Sequence, residues 1–148
     1  MCIRDSSDAY KKSIKKIDTE INVISKACPL FVPFVEEGVT NGIAISEITA
    51  HYLSIFKNNV DILILGCTHY PLLKNIISKE TKHITLVDSA SAVAKNAYKS
   101  LQENSLLNMD DKLGDLQCYV TDLPMRFEEL GNIFLGSEIN NMHLVNDL

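Results

Sequence analysis

The sequence lacks the features that mark membrane and secreted proteins. No apolar stretch approaches the roughly 20 residues that a transmembrane helix needs. Residues 1–6 (MCIRDS) contain no apolar core and so do not show the pattern expected of a signal peptide. There is no tryptophan, and aromatic residues make up only 7% of the chain, although the hydrophobic content of 46% is ample for a core. We therefore expect one cytoplasmic domain with no membrane partner.

Cysteine and basic residues are also too dispersed for several functions. The four cysteines (Cys2, Cys28, Cys67 and Cys118) form no Cys-x-x-Cys pair, which argues against a disulfide framework or a structural zinc site. The net charge is −5 and the fourteen basic residues are scattered. The densest basic cluster, residues 11–16, is typical of the solvated face of a helix. Nucleic acid is therefore not an expected partner.

The pattern of apolar runs and turn residues predicts an α/β protein with a parallel sheet flanked by helices. The spacing predicts helices at residues 8–17, 46–57, 72–78, 89–103 and from about 122, and strands at residues 22–26, 62–65, 84–87, 118–121 and 142–145. Residues 27–38, interrupted by two prolines, are expected to be irregular. Helical spacing also predicts two inward faces, one of Tyr10, Ile14 and Ile17, the other of Val93, Ala97 and Leu101.

The turn at residues 66–71 (GCTHYP) carries the most chemistry in the chain. It follows the apolar run 62–65 (ILIL), which is typical of a buried parallel strand. Ligands bind in open α/β sheets beyond the carboxyl ends of the strands. A thiol, a hydroxyl and an imidazole are therefore predicted at a ligand-binding edge. The alternative is that Cys67 is a buried structural cysteine, since free cysteine is among the most buried residue types.

The chemistry expected of this turn is that of a nucleophile or a base. A thiolate serves in either role, and an imidazolium or a helix N-terminus favours the thiolate form. We expect a helix to begin near Pro71, with its N-terminus facing Cys67. His69 is placed to orient the thiol or to polarise a substrate. Thr68 offers a hydroxyl and an N–H group to a carboxylate.

Other polar residues have simpler explanations. Zinc binding by Cys67 and His69 would need further ligands such as Glu36, His51 or His83, and nothing in the spacing favours this, so no metal is expected. Glu36 and Glu37 fit a solvated helix start as well as a positioned carboxylate. Asp88 or Ser89 is expected to cap a helix. Cys28 and Cys118 are expected to be packing residues, and His143 a surface or core residue.

Four ordered stretches resemble glutamate racemases, in the aspartate/glutamate racemase superfamily. Leu65–Leu73 resembles the second cysteine signature of that family. Ala27–Gly38 resembles a loop of the second lobe, Leu86–Ala90 resembles the strand and helix cap that follow, and Tyr119–Gly136 resembles parts of the C-terminal segment. With the helix around Tyr10, the resemblance covers nearly all of residues 8–145.

The resemblance implies interconversion of L- and D-glutamate without a cofactor, supplying D-glutamate for peptidoglycan and so for the bacterial cell wall and cell shape. Two cysteines of that family face the α-carbon of the substrate from opposite sides. Cys67 matches the second of them. Thr68 and His69 match substrate-contacting positions, with His69 placed to assist Cys67, and Glu36 matches a supporting carboxylate.

The sequence departs from the family in its first half. No Asp-Ser near a Gly-rich start, no Pro-Tyr-Gly and no Cys-Asn-Thr turn is found, and the chain opens with a predicted helix where doubly wound domains usually open with a strand. We therefore expect the C-terminal portion of a glutamate racemase, inactive alone. Residues 1–7 would be an unrelated or disordered leader, residues 8–105 the second lobe without its first strand, and residues 106–148 a segment returning to the missing lobe.

Other interpretations remain open at this point. A superfamily relative acting on aspartate, hydantoins or malonates would carry a similar cysteine turn, although the sequence of residues 68–71 (THYP) favours glutamate. A single-lobe binding module or an inert product is the non-enzymatic alternative. A full-length protein of this family is expected to bind a small-molecule substrate and to form a homo-oligomer.

Overall fold

A computed structural model describes residues 8–110, 114–121 and 124–145 of the chain. The chain divides into two compact units, Met1–Ala92 and Val93–Leu148. The predicted leader, residues 1–7 with Cys2, and the predicted helix start at Asp122 lie outside the described residues. No helix in the described ranges combines the length and the apolar character that crossing a membrane requires.

The first unit alternates helices with two parallel strands. In chain order its elements are α1 (Ala9–Ile17), α2 (Phe31–Glu36), α3 (Ile43–Leu53), a 3₁₀ turn (Ser54–Phe56), β1 (Ile62–Leu65), a second 3₁₀ turn (Tyr70–Leu73), α4 (Lys74–Glu80), β2 (Thr85–Asp88) and α5 (Ser89–Glu103), which continues into the second unit. β1 and β2 pair in parallel, with Ile62 opposite Thr85 and Leu65 opposite Asp88. The predicted α/β class with parallel strands is confirmed.

The core of the first unit lies among α2, α3, α4 and β1. Its centre is the ring of Phe31, which meets the rings of Tyr52 and Tyr70 edge to face at centroid distances of 5.4 and 5.3 Å. This is the geometry that aromatic pairs prefer. The buried apolar side chains around it are Cys28, Val35, Ile45, Leu53, Phe56, Leu65, Leu73, Ile76 and Ile77. Burial of Cys28 confirms its expected packing role.

The second unit contains another strand–helix–strand element. β3 (Cys118–Val120) and β4 (Met142–Leu144) pair in parallel, and α6 (Pro124–Leu135) connects them. The Asn132 side chain accepts a hydrogen bond of 2.8 Å from the backbone N–H of Ile139, which joins α6 to the approach to β4. The described strands therefore form two separate parallel pairs, where the sequence pattern suggested one sheet.

Three predictions of secondary structure are wrong: one strand, one irregular segment and one helix start. No described strand pairs with residues 22–26, so they form no strand. The segment expected to be irregular contains α2, because Pro33 falls in the first helical turn, where its missing N–H costs nothing. α3 begins at Ile43, before Ser46, whose hydroxyl donates to the carbonyl of Gly42 at 2.8 Å.

The predicted inward faces are only partly buried. Tyr10 and Ile14 are half-buried, but Ile17 is 85% exposed. Val93, Ala97 and Leu101 share a face of α5, and all are exposed. Helical spacing identifies which residues share a face, whereas burial also requires a neighbouring element to cover it. No residue of α5 is buried.

A pair of isoleucines in α3 offers a direct test of where the core lies. Ile45 is fully buried, whereas Ile43 is 83% exposed. Ile45→Ala is expected to lower the free energy of unfolding by about 2–5 kcal/mol, because it removes buried methyl groups and leaves a cavity. Ile43→Ala makes the same chemical change in the same helix and should alter stability by no more than about 0.5 kcal/mol. Urea denaturation followed by circular dichroism measures both, and equal losses would contradict this core.

Candidate functional site

The two strands of the first unit end at one edge, and the candidate site lies there. β1 ends at Leu65, which pairs with Asp88 at the end of β2. The chain leaves β1 through Gly66 and carries Cys67, Thr68 and His69 before the 3₁₀ turn begins at Tyr70. The predicted position of the cysteine turn, at the carboxyl end of a parallel strand, is therefore the observed one.

Side chains in this turn face one another. The Sγ atom of Cys67 lies 3.8 Å from Nδ1 of His69, and Oγ1 of Thr68 lies 3.3 Å from the same nitrogen. Cys67 and His69 are half-buried, and Thr68 is exposed. The thiol is thus neither a fully buried packing group nor an isolated surface group. An imidazole at this distance can exchange a proton with the thiol, and the exposed hydroxyl is available to a ligand.

Glu36 approaches the other side of the imidazole. Its Oε1 atom lies 3.6 Å from Nε2 of His69, an ion-pair distance when the imidazole is protonated. Glu36 is the last residue of α2, a helix that the sequence pattern did not predict. Tertiary packing therefore brings together Cys67, His69 and Glu36, which the sequence analysis singled out separately.

The expected helix near Pro71 begins as a 3₁₀ helix, and the α-helix starts further from the thiol. Pro71 lies within a short 3₁₀ turn, and α4 begins only at Lys74, seven residues beyond Cys67. The effect of a helix dipole falls off within the first turn of the helix. A helix does open near Pro71, first as a 3₁₀ helix and then as α4, and the group in contact with the thiol is the imidazole of His69.

Two tyrosines hold the backbone around the turn. The Tyr70 hydroxyl donates to the carbonyl of Cys28 at 3.4 Å. The ring of Tyr10 packs over Gly66 so closely that a methyl group there would lie 3.1 Å from Cε2 of the ring. The sequence analysis assigned neither tyrosine to the site. A glycine directly after a strand is a signal of close approach, but it does not identify the neighbour.

Asp88 is a buried carboxylate at the same strand edge. Its Oδ1 accepts a hydrogen bond of 2.9 Å from the backbone N–H of Ser91, which confirms the predicted helix cap. Its Oδ2 lies 3.2 Å from Nζ of Lys74, a partner that the sequence analysis missed. The hydrogen bond from Ser91 and the ammonium group of Lys74 lower the pKa of Asp88 from its ordinary value.

The histidines considered as further zinc ligands lie elsewhere. His83 precedes β2 and so lies at the opposite end of the strand pair from Cys67. The ring of His51 lies beside Tyr52 in α3. In the ranges that the structure describes, no three His, Cys, Asp or Glu side chains are grouped as a metal ion would require.

The curated proteins that resemble this chain in sequence are glutamate racemases. The chain is 43% identical over 143 residues to a glutamate racemase of Chlorobium phaeobacteroides, covering 95% of this chain and 52% of the relative. It is 42% identical over 142 residues to a glutamate racemase of Geobacter metallireducens, covering 94% of this chain and 52% of the relative. The chain therefore spans about half the length of the curated relatives it matches. No family model matches it.

Solved structures agree with the sequence relatives. The fold matches the glutamate racemase of Francisella tularensis, determined with D-glutamate, at a TM-score of 0.86 and 38% identity, over 95% of this chain and 53% of that one. A glutamate racemase isoform of Bacillus anthracis matches at a TM-score of 0.83 and 31% identity, with the same coverage.

The fold thus makes this chain an α/β protein with amino-acid racemases as its homologues. The homologues are glutamate racemases, and the chain corresponds to about half of one.

The Asp88 carboxylate predicts a specific pH dependence of stability. Because folding lowers the pKa of Asp88 below its ordinary value, the contribution of this carboxylate to stability is fully present above that ordinary value and is lost as the pH falls through the folded pKa. Asp88→Asn keeps a side chain that caps well but removes the charge. The variant should be less stable than the parent at about pH 6, and the difference should shrink towards about pH 3. Urea midpoints measure this, and a difference independent of pH would contradict it.

Proposed function

We propose that this chain is the half of a glutamate racemase that carries Cys67 as one of two opposed proton-transfer cysteines. The observation that supports the proposal most directly is the position of His69 at the end of β1, where its imidazole contacts Cys67 on one side and Glu36 on the other. It occurs in a chain whose homologues are glutamate racemases. The relative from Francisella tularensis was solved with D-glutamate, which supports a glutamate enantiomer as ligand.

The proposed reaction breaks and re-forms the bond between the α-carbon of glutamate and its hydrogen. The Cys67 thiolate takes the proton from one face and becomes a thiol, while the electron pair stays on the carbon and is delocalised into the carboxyl group. A second thiol then gives a proton to the opposite face and becomes a thiolate. Reversal exchanges the roles, so the reaction needs no cofactor and consumes no reagent. The carbanion requires preorganised stabilisation in a site from which water is largely excluded.

The neighbours of Cys67 take distinct roles in this proposal. His69 lies beside the sulfur and stabilises the thiolate or exchanges a proton with it. Glu36 holds the imidazole from its far side. Thr68 binds a carboxylate of the substrate through its exposed hydroxyl and its backbone N–H. These assignments account for each polar side chain of the turn.

The second cysteine would lie in the part of the relatives that this chain does not span. We retain the proposed division into residues 1–7, a second lobe at 8–105, and a segment at 106–148 that returns to the first lobe. In the whole protein the activity would supply D-glutamate for peptidoglycan in the cytoplasm, and the active form would be a homo-oligomer. Because the chain spans only about half the length of its relatives, one alternative stays open, a single-lobe module that binds glutamate without turnover.

We predict that this chain alone does not racemise glutamate. A single base on one face of the α-carbon returns the proton to that same face, so inversion fails without an opposed donor. L-glutamate incubated with the pure chain in D₂O should yield no deuterated D-glutamate by chiral chromatography with mass detection. Cys67→Ser is the matched control. Deuterated D-glutamate that forms with the parent chain and disappears in Cys67→Ser would overturn the one-base assignment.

A separate prediction concerns the ligand that the site binds. Glutamate should slow alkylation of Cys67 by iodoacetamide, because a carboxylate bound at Thr68 covers the adjacent thiol. Peptide mass mapping resolves each cysteine, with buried Cys28 as an internal reference. Thr68→Val should weaken the protection at least about tenfold, the effect of losing a hydrogen bond to a charged group.

The control for this experiment is Thr85→Val. It makes the same change at an exposed threonine at the other end of the strand pair, and it should leave the protection intact. Protection that is equal for glutamate and an unrelated anion, or that is unaffected by Thr68→Val, would refute the glutamate site.

A further inference from the structure

The segment that carries the cysteine turn begins and ends at neighbouring points of the fold. It leaves β1 after Leu65, which pairs with Asp88, and it ends at Lys74, whose Nζ lies 3.2 Å from the carboxylate of Asp88. Asp88 thus adjoins both ends of residues 66–73, with its backbone beside Leu65 and its carboxylate beside Lys74.

We propose that the ion pair between Lys74 and Asp88 closes this segment and positions Cys67, Thr68 and His69, so that Lys74 and Asp88 are positioning residues for the site. For its consequence in racemisation the proposal rests on the proposed function. The structural claim, that the pair restrains the segment, can be tested without any turnover of glutamate.

Asp88 is suited to anchor the segment because its own position is fixed. Its side chain is only 8% exposed, and each carboxylate oxygen has a partner. Oδ1 accepts the N–H of Ser91 in the first turn of α5, while Oδ2 receives the Lys74 ammonium group. The register of β1 and β2 holds the backbone of Asp88 beside that of Leu65. If Lys74 and Asp88 separate, it is therefore the segment of residues 66–73 that moves, while Asp88 stays in place.

The restraint reaches the cysteine turn through the backbone. The N–H of Tyr70 donates to the carbonyl of Cys67 at 3.3 Å, and the N–H of Leu72 donates to the carbonyl of His69 at 3.1 Å. The 3₁₀ turn that contains these donors ends at Leu73, directly before Lys74. The carbonyls of Cys67 and His69 are therefore tied to a turn whose far end is held by the ion pair.

Burial of Leu73 offers a competing explanation, since this side chain is fully buried and anchors the same end of the segment. The two explanations differ in what removal of the charge should do. If Leu73 alone restrains the segment, loss of the Lys74 charge changes nothing in it. If the ion pair contributes, its loss loosens the segment. The Lys74 side chain is 48% exposed, so its replacement does not disturb the core.

The test is hydrogen exchange by mass spectrometry on the full chain, read at residues 66–73. Lys74→Gln and Asp88→Asn should each speed exchange there about two- to fivefold, the range expected when one partner of an ion pair remains half exposed to water. Asn at position 88 still caps α5, so the second variant tests the charge apart from the cap. Lys74→Arg keeps the charge and should restore the parent rate. Cys67 alkylation should accelerate with the exchange, because the half-buried thiol becomes more accessible.

The matched control is Lys57→Gln, which removes the ion pair with Glu80 at 3.7 Å in the same unit. It should leave exchange at residues 66–73 unchanged. Unchanged exchange at residues 66–73 in Lys74→Gln would overturn the proposal. An acceleration in α3 of Lys74→Gln as large as that at residues 66–73 would also overturn it, because it would report a global loss of stability instead of a local restraint. Faster local exchange with arginine rescue, in a chain that shows no glutamate protection of Cys67, would uphold this restraint while refuting the proposed function.

Discussion

Parallel pairing of β1 with β2 is the constraint on which the first unit depends. It aligns Leu65 with Asp88, so that the cysteine turn after one strand and the helix cap after the other share an edge. The connection between the strands buries Leu73, Ile76 and Ile77 against the aromatic cluster around Phe31. The same pairing therefore orders the core and sets where the reactive side chains emerge.

The candidate site combines a rigid support with exposed chemistry. Its backbone is held by Tyr70, whose hydroxyl reaches the carbonyl of Cys28, and by the close packing of Tyr10 on Gly66. Its reactive groups, in contrast, are half-buried or exposed. The proposed function requires such an arrangement, since a small displacement of a base costs rate while complete burial of the thiol excludes substrate.

Half of a two-base site gives a coherent account of the polar residues. His69 contacts Cys67 through one ring nitrogen and Glu36 through the other, and the neighbouring hydroxyl of Thr68 is exposed. In the proposed mechanism these groups serve one face of the substrate only. The chain spans about half the length of the curated relatives it matches. Under the proposal, residues outside this chain serve the opposite face.

The sequence by itself determined the local features of this protein. The apolar run 62–65, the cysteine turn after it and the capping Asp88 were all predictable, because strand pattern and capping depend on neighbouring residues. Only the tertiary structure decided that Glu36 meets His69 and that Lys74 meets Asp88. It also decided that the faces at Ile17 and Val93 stay exposed. Such outcomes depend on which elements pack together, and periodicity along one element carries no information about its partner.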